Sequence, residues 1–348
     1  MPAERKIRVL IVDDSAIVRK MLTEALAAEP DLEVVGTAPD PFVARDKIIS
    51  LKPDVVTLDV EMPRMDGLTF LKKLMRFHPL PVIIISSLAQ SSSQAALEAL
   101  QCGAEEVLAK PGGPYSVGEL KHDLPQKVRA AAQARIAKPK AQLAAPAPPP
   151  PLSGTNDSTV IAIGASTGGT EALREVLSSL PANMPGILVV QHIPHVFSLA
   201  FANRLDNLCR LHVKEAADGD RLTAGLVLIA PGNFHMTLGK TGGQYSVRIQ
   251  DGPRVCYQRP SVDVLFESVA QVAKGDAIGA ILTGMGADGA QGLLKMKRAG
   301  ARTLAQDEAS CVVFGMPREA IRMGAVDHVI PLDRVAAELT ALSAMSLR

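Results

Sequence analysis

The chain has 348 residues, enough for about two domains of ordinary size, each with its own core. Hydrophobic residues at 47% and charged residues at 21% exclude disorder, collagen-like repetition and coiled coil as the main architecture. With 37 Lys plus Arg against 36 Asp plus Glu, no electrostatic reason exists for nucleic-acid or membrane-surface binding. Aromatic residues make up only 3%, without a Trp, so the core has to be packed from Ala, Val, Ile and Leu. Buried parallel strands under Ala-rich helices suit that composition better than a β-sandwich. Cys102, Cys209, Cys256 and Cys311 stand singly with no CxxC pair, which points to reduced thiols and a cytoplasmic location. The start, MPAERKIRVLIVDD, is too short and too charged for a signal peptide. No apolar run approaches the ~18 residues of a membrane span, so no direct membrane insertion is expected.

In the first half, short apolar runs predict strands at Val9 to Val12, Val34 to Thr37, Val55 to Leu58, Val82 to Ile85 and Val107 to Ala109. Amphipathic stretches predict helices at Ala16 to Ala28, Phe42 to Leu51, Leu68 to Phe77, Gln94 to Gln101 and from Val117 onward. This alternation is the pattern of a doubly wound parallel sheet, in which ligands bind beyond the carboxyl ends of the strands. Asp13 and Asp14 follow the first strand, and Asp59 ends the third. Any one of these acids could serve as a turn or helix-cap residue. Three carboxylates converging on one edge repel one another, and a hard cation such as Mg²⁺ is the usual compensation. Ser86 and Lys110 follow the fourth and fifth strands, adding a hydroxyl and an ammonium to the same edge, as an acyl-phosphate site requires.

The segments IVDDSAIVRKML, VVTLDVEMPRMDG, IIISSLA and AKPG together resemble a bacterial response-regulator receiver domain of flavodoxin-like fold, over residues 7 to about 128. The resemblance implies that Asp59 accepts a phosphoryl group from a sensor histidine kinase. It implies that Asp13, Asp14, Asp59 and the backbone carbonyl of Glu61 hold Mg²⁺, and that Ser86 and Lys110 bind the phosphoryl oxygens and carry the switch. Val107 stands where many receivers have a switch aromatic. Residues 129–158, RAAAQARIAKPKAQLAAPAPPPPLSGTNDS, then read as a tether. Its first part can continue a helix, and from Pro139 onward the prolines enforce extended, semi-rigid geometry.

After the tether, STVIAIGASTGGTEALREVLSSL reads as a strand at Val160 to Ile163, a glycine-rich turn and a helix beginning near Gly168. Ser166 lies on that turn. It can be a helix N-cap, part of a phosphate-cradling loop or a catalytic nucleophile. GASTGG fits neither dinucleotide nor P-loop spacing, and no acid stands about twenty residues on to take a ribose. A second strand, Ile187 to Val190, runs into His192, with His195 and His235 as rival bases. A third, Ala277 to Thr283, leads to a Gly-rich turn carrying Asp288, which in isolation reads as an N-cap. A hydroxyl, an imidazole and a carboxylate each following a parallel strand is the arrangement a hydrolytic crevice needs. Between them, Thr241 to Gly243 predicts a hairpin tip, IAPGNFH lines the cleft or covers a sheet end, and RPSVDVLFESVA reads as a helix entered through Pro260 and Ser261.

IGASTGGTEAL, VVQHIPHVF, IAPGNFHM and LTGMGADGA resemble the catalytic domain of the chemotaxis protein-glutamate methylesterases, the CheB family, from about residue 158 to 345. The resemblance implies Ser166 as nucleophile, His192 as general base and acid, and Asp288 as the orienting carboxylate. Thr167 and the backbone amide of Met285 become the oxyanion candidates. It also implies methyl-accepting chemoreceptors as substrates, some deamidation of receptor glutamines, and no cofactor at the esterase site. The expected organisation is a receiver over 1–128, a tether over 129–158 and a doubly wound, mostly parallel α/β methylesterase domain over 159–348. A transcriptional regulator would instead need a basic helix-turn-helix output half. A phospho-dependent scaffold would use the same three residues only as caps, and a relative acting outside motility would keep the same chemistry on another receptor.

Overall fold

The protein is described by a computed structural model over residues 5–62, 65–87, 90–111, 117–134 and 158–345. Residues 135–157, most of the expected tether, lie outside the described residues, as do Pro63, Arg64, Leu88, Ala89 and Gly112 of the receiver motifs. The chain divides into two compact units between residues 141 and 142.

The first unit alternates strand and helix throughout: β1 (Ile7–Val12), α1 (Ala16–Ala27), β2 (Leu32–Ala38), α2 (Pro41–Leu51), β3 (Val55–Asp59), α3 (Gly67–Phe77), β4 (Val82–Ser86), α4 (Gln90–Gln101), β5 (Glu106–Ala109) and α5 (Val117–Gln133). All five strands are parallel, in the order β2-β1-β3-β4-β5. That is the flavodoxin-like order, with its ligand crevice beside β1 and β3. Strands buried on both faces explain the unbroken Val and Ile runs, since both faces meet helices. Val128 and Ala131 of α5 pack into the same core as Val9, Ile11 and Leu22, so the closing helix continues past residue 128. Val107 is buried in β5 opposite Ile84, an aliphatic filler without a ring to rotate.

The second unit is built on seven parallel strands: β6 (Val160–Ala165), β7 (Gly186–Gln191), β8 (His212–Glu215), β9 (Leu226–Ile229), β12 (Ala277–Ile281), β13 (Arg302–Gln306) and β14 (His328–Ile330). Their order is β14-β13-β12-β6-β7-β9-β8. The chain runs outward from β6 in one direction through β7 and then returns to the other side through β12, which puts the topological switch at β6. A separate antiparallel hairpin joins β10 (His235–Thr241) to β11 (Gln244–Gln250). Its two-residue loop is Gly242-Gly243, both at positive φ, the conformation that lets a tight hairpin match strand twist.

Helices α6 (Gly169–Ser178), α7 (His195–Leu208), α8 (Val262–Val272), α9 (Ala290–Arg298), α10 (Met316–Arg322) and α11 (Leu332–Met345) complete this unit. Among the described residues, Phe197, Phe201 and Phe266 of this unit are the largest fully buried side chains. Close approach of α8 to the sheet depends on missing side chains. A Cβ at Gly164 of β6 would fall 2.2 Å from Val262 Cγ1, and one at Gly289 would fall 2.6 Å from the same atom. The amino end of α8 is thereby drawn down onto the switch point.

One buried acid in the first unit gives a testable consequence. Glu105 precedes β5, and burial, with the neighbouring Glu106 charge adding, pushes its carboxyl from 4.5 to about 8. The Lys127 ammonium pairs with Glu106, at 2.9 Å. Because the folded value lies above the unfolded one, the stabilising contribution is complete below pH 4.5 and lost as pH rises through about 8. Glu105→Gln should therefore raise the thermal midpoint at pH 8 and leave it nearly unchanged at pH 4.5. A difference between variant and parent that does not grow with pH would contradict the reading.

Candidate functional site

At the carboxyl edge of the first sheet, the Lys110 ammonium lies 2.7 Å from Asp59 Oδ2 and 3.0 Å from Asp13 Oδ2. Only the first contact has hydrogen-bond geometry, and Asp13 Oδ2 is buried without a hydrogen-bond partner. Asp13 Oδ1 accepts the Ser15 amide at 2.9 Å, and Asp59 Oδ1 accepts the Glu61 amide at 3.1 Å. Burial raises the Asp59 carboxyl to about 6, with the Asp13 charge adding and Lys110 opposing. Asp13 is raised too, chiefly by burial against the pull of Lys110. Burial works against the Lys110 ammonium, but its bond to Asp59 and the Asp13 charge outweigh it and lift its pKa.

Carboxylate oxygens of Asp13, Asp14 and Asp59 all lie within 4.8 Å of one another. An acid cluster with one orphaned, buried oxygen is a donor set suited to a hard cation such as Mg²⁺. Glu61 follows two residues after Asp59, and its carboxylate accepts the Ser87 hydroxyl at 3.0 Å. Ser86 ends β4 fully buried, and its carbonyl accepts the Lys110 amide at 2.7 Å, tying the hydroxyl and ammonium positions together.

In the second unit, the three predicted residues follow β6, β7 and β12, which are adjacent in the sheet. His192 Nε2 lies 2.8 Å from Asp288 Oδ2, with both side chains buried. Asp288 also accepts the Ser261 hydroxyl at 2.7 Å and the amides of Val262 and Asp263 at 2.8 and 3.0 Å. Burial pushes the Asp288 carboxyl up, but the His192 hydrogen bond and these amides outweigh it and hold it below the usual carboxylate range. An ionised acceptor requires the proton on Nε2, which leaves Nδ1 as the ring's lone-pair nitrogen. Nδ1 is buried and has no hydrogen-bond partner, so the pair with Ser166 is not closed. Such bonds are often long before substrate binds.

Ser166 is buried to 5% exposure, with its amide on the Thr283 carbonyl at 3.0 Å and its carbonyl on the Gly169 amide at 2.6 Å. Gly284 closes in from β12: a Cβ there would stand 2.8 Å from Ser166 Cβ. The next residue, Met285, is partly buried. Thr167 is buried at 1% exposure, its carbonyl held by the Thr283 hydroxyl at 2.9 Å.

Neither cap reading survives. The N-cap of α6 is Gly168 and that of α9 is Gly289, both in the left-handed region and neither with a side-chain cap bond. Asp288 instead receives the first turn of α8, a helix that begins 26 residues earlier in the chain. Of the rival bases, His195 is exposed at the start of α7 and meets Phe234 edge-on at 6.1 Å. His235 is buried, with Nε2 on the Pro253 carbonyl at 2.9 Å and Nδ1 receiving the Ser261 amide at 3.2 Å, so both its nitrogens are spent on structure. Ser261 and Gln191 were not singled out by the sequence as site residues. Their only local signals were a Ser before an apolar helix and a polar residue closing an apolar strand.

Fold and site together define a class: a response-regulator receiver joined to an α/β domain with a hydrolase-type serine, histidine and aspartate at the carboxyl edge of its sheet. The CheB methylesterase family matches residues 161–339, and the response regulator receiver domain family matches residues 9–120. A protein-glutamate methylesterase/protein-glutamine glutaminase of Syntrophus aciditrophicus is 58% identical over 97% of this chain and 99% of its own length. One of the same name from Salmonella choleraesuis is 53% identical over 97% of each. The solved CheB methylesterase catalytic domain of Thermotoga maritima matches with a TM-score of 0.52 at 40% identity, covering 53% of this chain and 98% of that one. The chain belongs to the CheB family of protein-glutamate methylesterases/protein-glutamine glutaminases. Among the described residues, no helix is long and apolar enough to cross a membrane.

Proposed function

We propose that this chain is a phosphorylation-activated methylesterase that hydrolyses glutamate methyl esters on cytoplasmic helices of chemoreceptors, and that it deamidates receptor glutamines by the same route. The observation that carries the reading is the buried His192–Asp288 pair at 2.8 Å, with Nδ1 left unpartnered at the end of the strand beside Ser166. Ser166 Oγ attacks the ester carbonyl while His192 Nδ1 takes its proton. The negative charge on the tetrahedral oxygen needs donors already in place, each commonly worth ~2.7–4 kcal/mol. Thr167 and the Met285 amide fill that role. The imidazolium then gives its proton to the departing methoxide, and methanol leaves. Water, deprotonated by His192, attacks the acyl-enzyme to give the glutamate carboxylate and restore the Ser166 hydroxyl. With an amide substrate the leaving group is ammonia.

The receiver, residues 1–128, takes a phosphoryl group on Asp59 from a sensor histidine kinase. Asp13, Asp14, Asp59 and the Glu61 carbonyl would hold Mg²⁺, which when bound would supply positive charge to the phosphoryl oxygens. Ser86 and Lys110 bind those oxygens once transfer is complete. The tether, 129–158, links this event to the esterase, 159–348, which the unphosphorylated receiver restrains. Support for this arrangement comes from the family and from the acid, hydroxyl and ammonium gathered at one sheet edge.

Ser166→Ala should abolish methanol release from methylated receptor while leaving the thermal midpoint in place; a variant with near-normal turnover would contradict the assignment. Deletion of residues 1–150 should raise basal methanol release. An unchanged or lower rate in a folded fragment would argue against restraint by the receiver.

A further inference from the structure

Two glutamines end strands on either side of the nucleophile turn, Gln191 at the end of β7 and Gln306 at the end of β13, both buried. Gln306 is satisfied at both ends. Its Oε1 accepts the Thr283 amide at 2.8 Å, and its Nε2 donates to the Ser310 carbonyl at 2.8 Å. Gln191 is satisfied at one end only. Its Nε2 donates to the Ser166 carbonyl at 2.9 Å and more weakly to the His192 carbonyl at 3.4 Å, while Oε1 is buried with no hydrogen-bond partner.

A buried acceptor without a partner costs stability, and an apolar side chain of the same length would avoid that cost. The fold makes room for it nonetheless. A Cβ at Gly169, in the first turn of α6, would stand 2.2 Å from that same Oε1, so the helix carrying the nucleophile turn starts with a glycine where the amide lies. What the amide gains is its bond to Ser166. The Ser166 backbone is held on one side by the Thr283 carbonyl and on the other by Gly169 and Gln191. Gln191 is the one side chain in that set, and it immediately precedes His192 in the chain. The His192 amide in turn donates to the Ala165 carbonyl at 3.2 Å, so nucleophile and base are tied by two crossed hydrogen bonds between β6 and β7.

Resting on the esterase reading above, we infer that Gln191 is a positioning residue that fixes the Ser166 turn relative to His192 and accepts a stability cost in doing so. Its hydrogen bonds run to the Ser166 and His192 backbone carbonyls, and none runs to the Ser166 hydroxyl or the His192 ring. The open approach between Ser166 and Nδ1 is what this clamp governs, because a displacement of the turn alters it directly.

The experiment compares parent, Gln191→Met and Gln306→Met in the full-length chain, with methanol release from methylated receptor as the assay. Parent activity tests the esterase reading by itself. If parent turns over, Gln191→Met is expected to lower kcat roughly 10- to 100-fold with KM unchanged within about twofold, and to keep or raise the thermal midpoint. Gln306→Met, which strands the Thr283 amide and Ser310 carbonyl, is expected to lower the midpoint. A Gln191→Met variant with kcat within about twofold of parent, or with a midpoint falling as far as that of Gln306→Met, overturns the inference. Gln191→Leu provides the same test where Gln191→Met yields no folded protein. The rate at which a fluorophosphonate labels Ser166 is a readout independent of receptor binding, and it should slow in step with kcat. A labelling rate equal to that of parent overturns the inference as well.

Discussion

Asp288 receives hydrogen bonds from the Ser261 hydroxyl, the Val262 and Asp263 amides and the His192 ring, and no other carboxylate in the catalytic half is so completely enclosed by donors among the described residues. Burying a lone carboxylate costs several kcal/mol, while each bond to a charged group returns roughly 1.5–3 kcal/mol. Four such donors, three of them at the positive end of α8, keep the charge in place and account for the lowered pKa. The same charge decides which imidazole nitrogen carries the proton. Ring orientation, tautomer and the nitrogen left for Ser166 all follow from one helix end meeting one side chain.

That meeting is possible because the sheet and α9 lack side chains where α8 descends. Gly164 and Gly289 open the space for Val262, and Gly284 opens the space for Ser166. His235 adds a brace from outside, receiving the Ser261 amide and anchoring to the Pro253 carbonyl. The receiver edge solves a different electrostatic problem with a different device. There burial, with the crowded acids adding and Lys110 only partly opposing, raises Asp13 and Asp59 where Asp288 is lowered. A crowded acid cluster with an open oxygen is poised to take a cation, whereas a saturated carboxylate is fixed for orientation.

Much of this was legible in the sequence because it is local. The strand runs of the receiver fall within two residues of the observed strands, since continuous Val and Ile segments have few other solutions in a doubly wound sheet. Placing Ser166, His192 and Asp288 at strand ends needed only the apolar runs before them. The start of α4 at Gln90 was hidden by a serine-rich stretch that reads equally well as a loop. Long-range pairings carried no signal. Nothing near Asp288 indicates that its partner is the first turn of α8, and nothing near Gln191 indicates a bond to Ser166, because both depend on strand order. By the residues alone His192, His195 and His235 stayed rivals for the same reason; the resemblance pointed to His192, and the structure has both nitrogens of His235 engaged elsewhere.

The account rests on Asp288 holding the proton of His192 on Nε2 so that Nδ1 faces the nucleophile. Nitrogen-resolved NMR of ¹⁵N-histidine-labelled protein, with the ring neutral, reads this directly. The structure predicts a protonated, hydrogen-bonded Nε2 and a bare Nδ1 for His192, with that signature lost in Asp288→Ala. A His192 ring protonated on Nδ1, or a tautomer unchanged by Asp288→Ala, would contradict it.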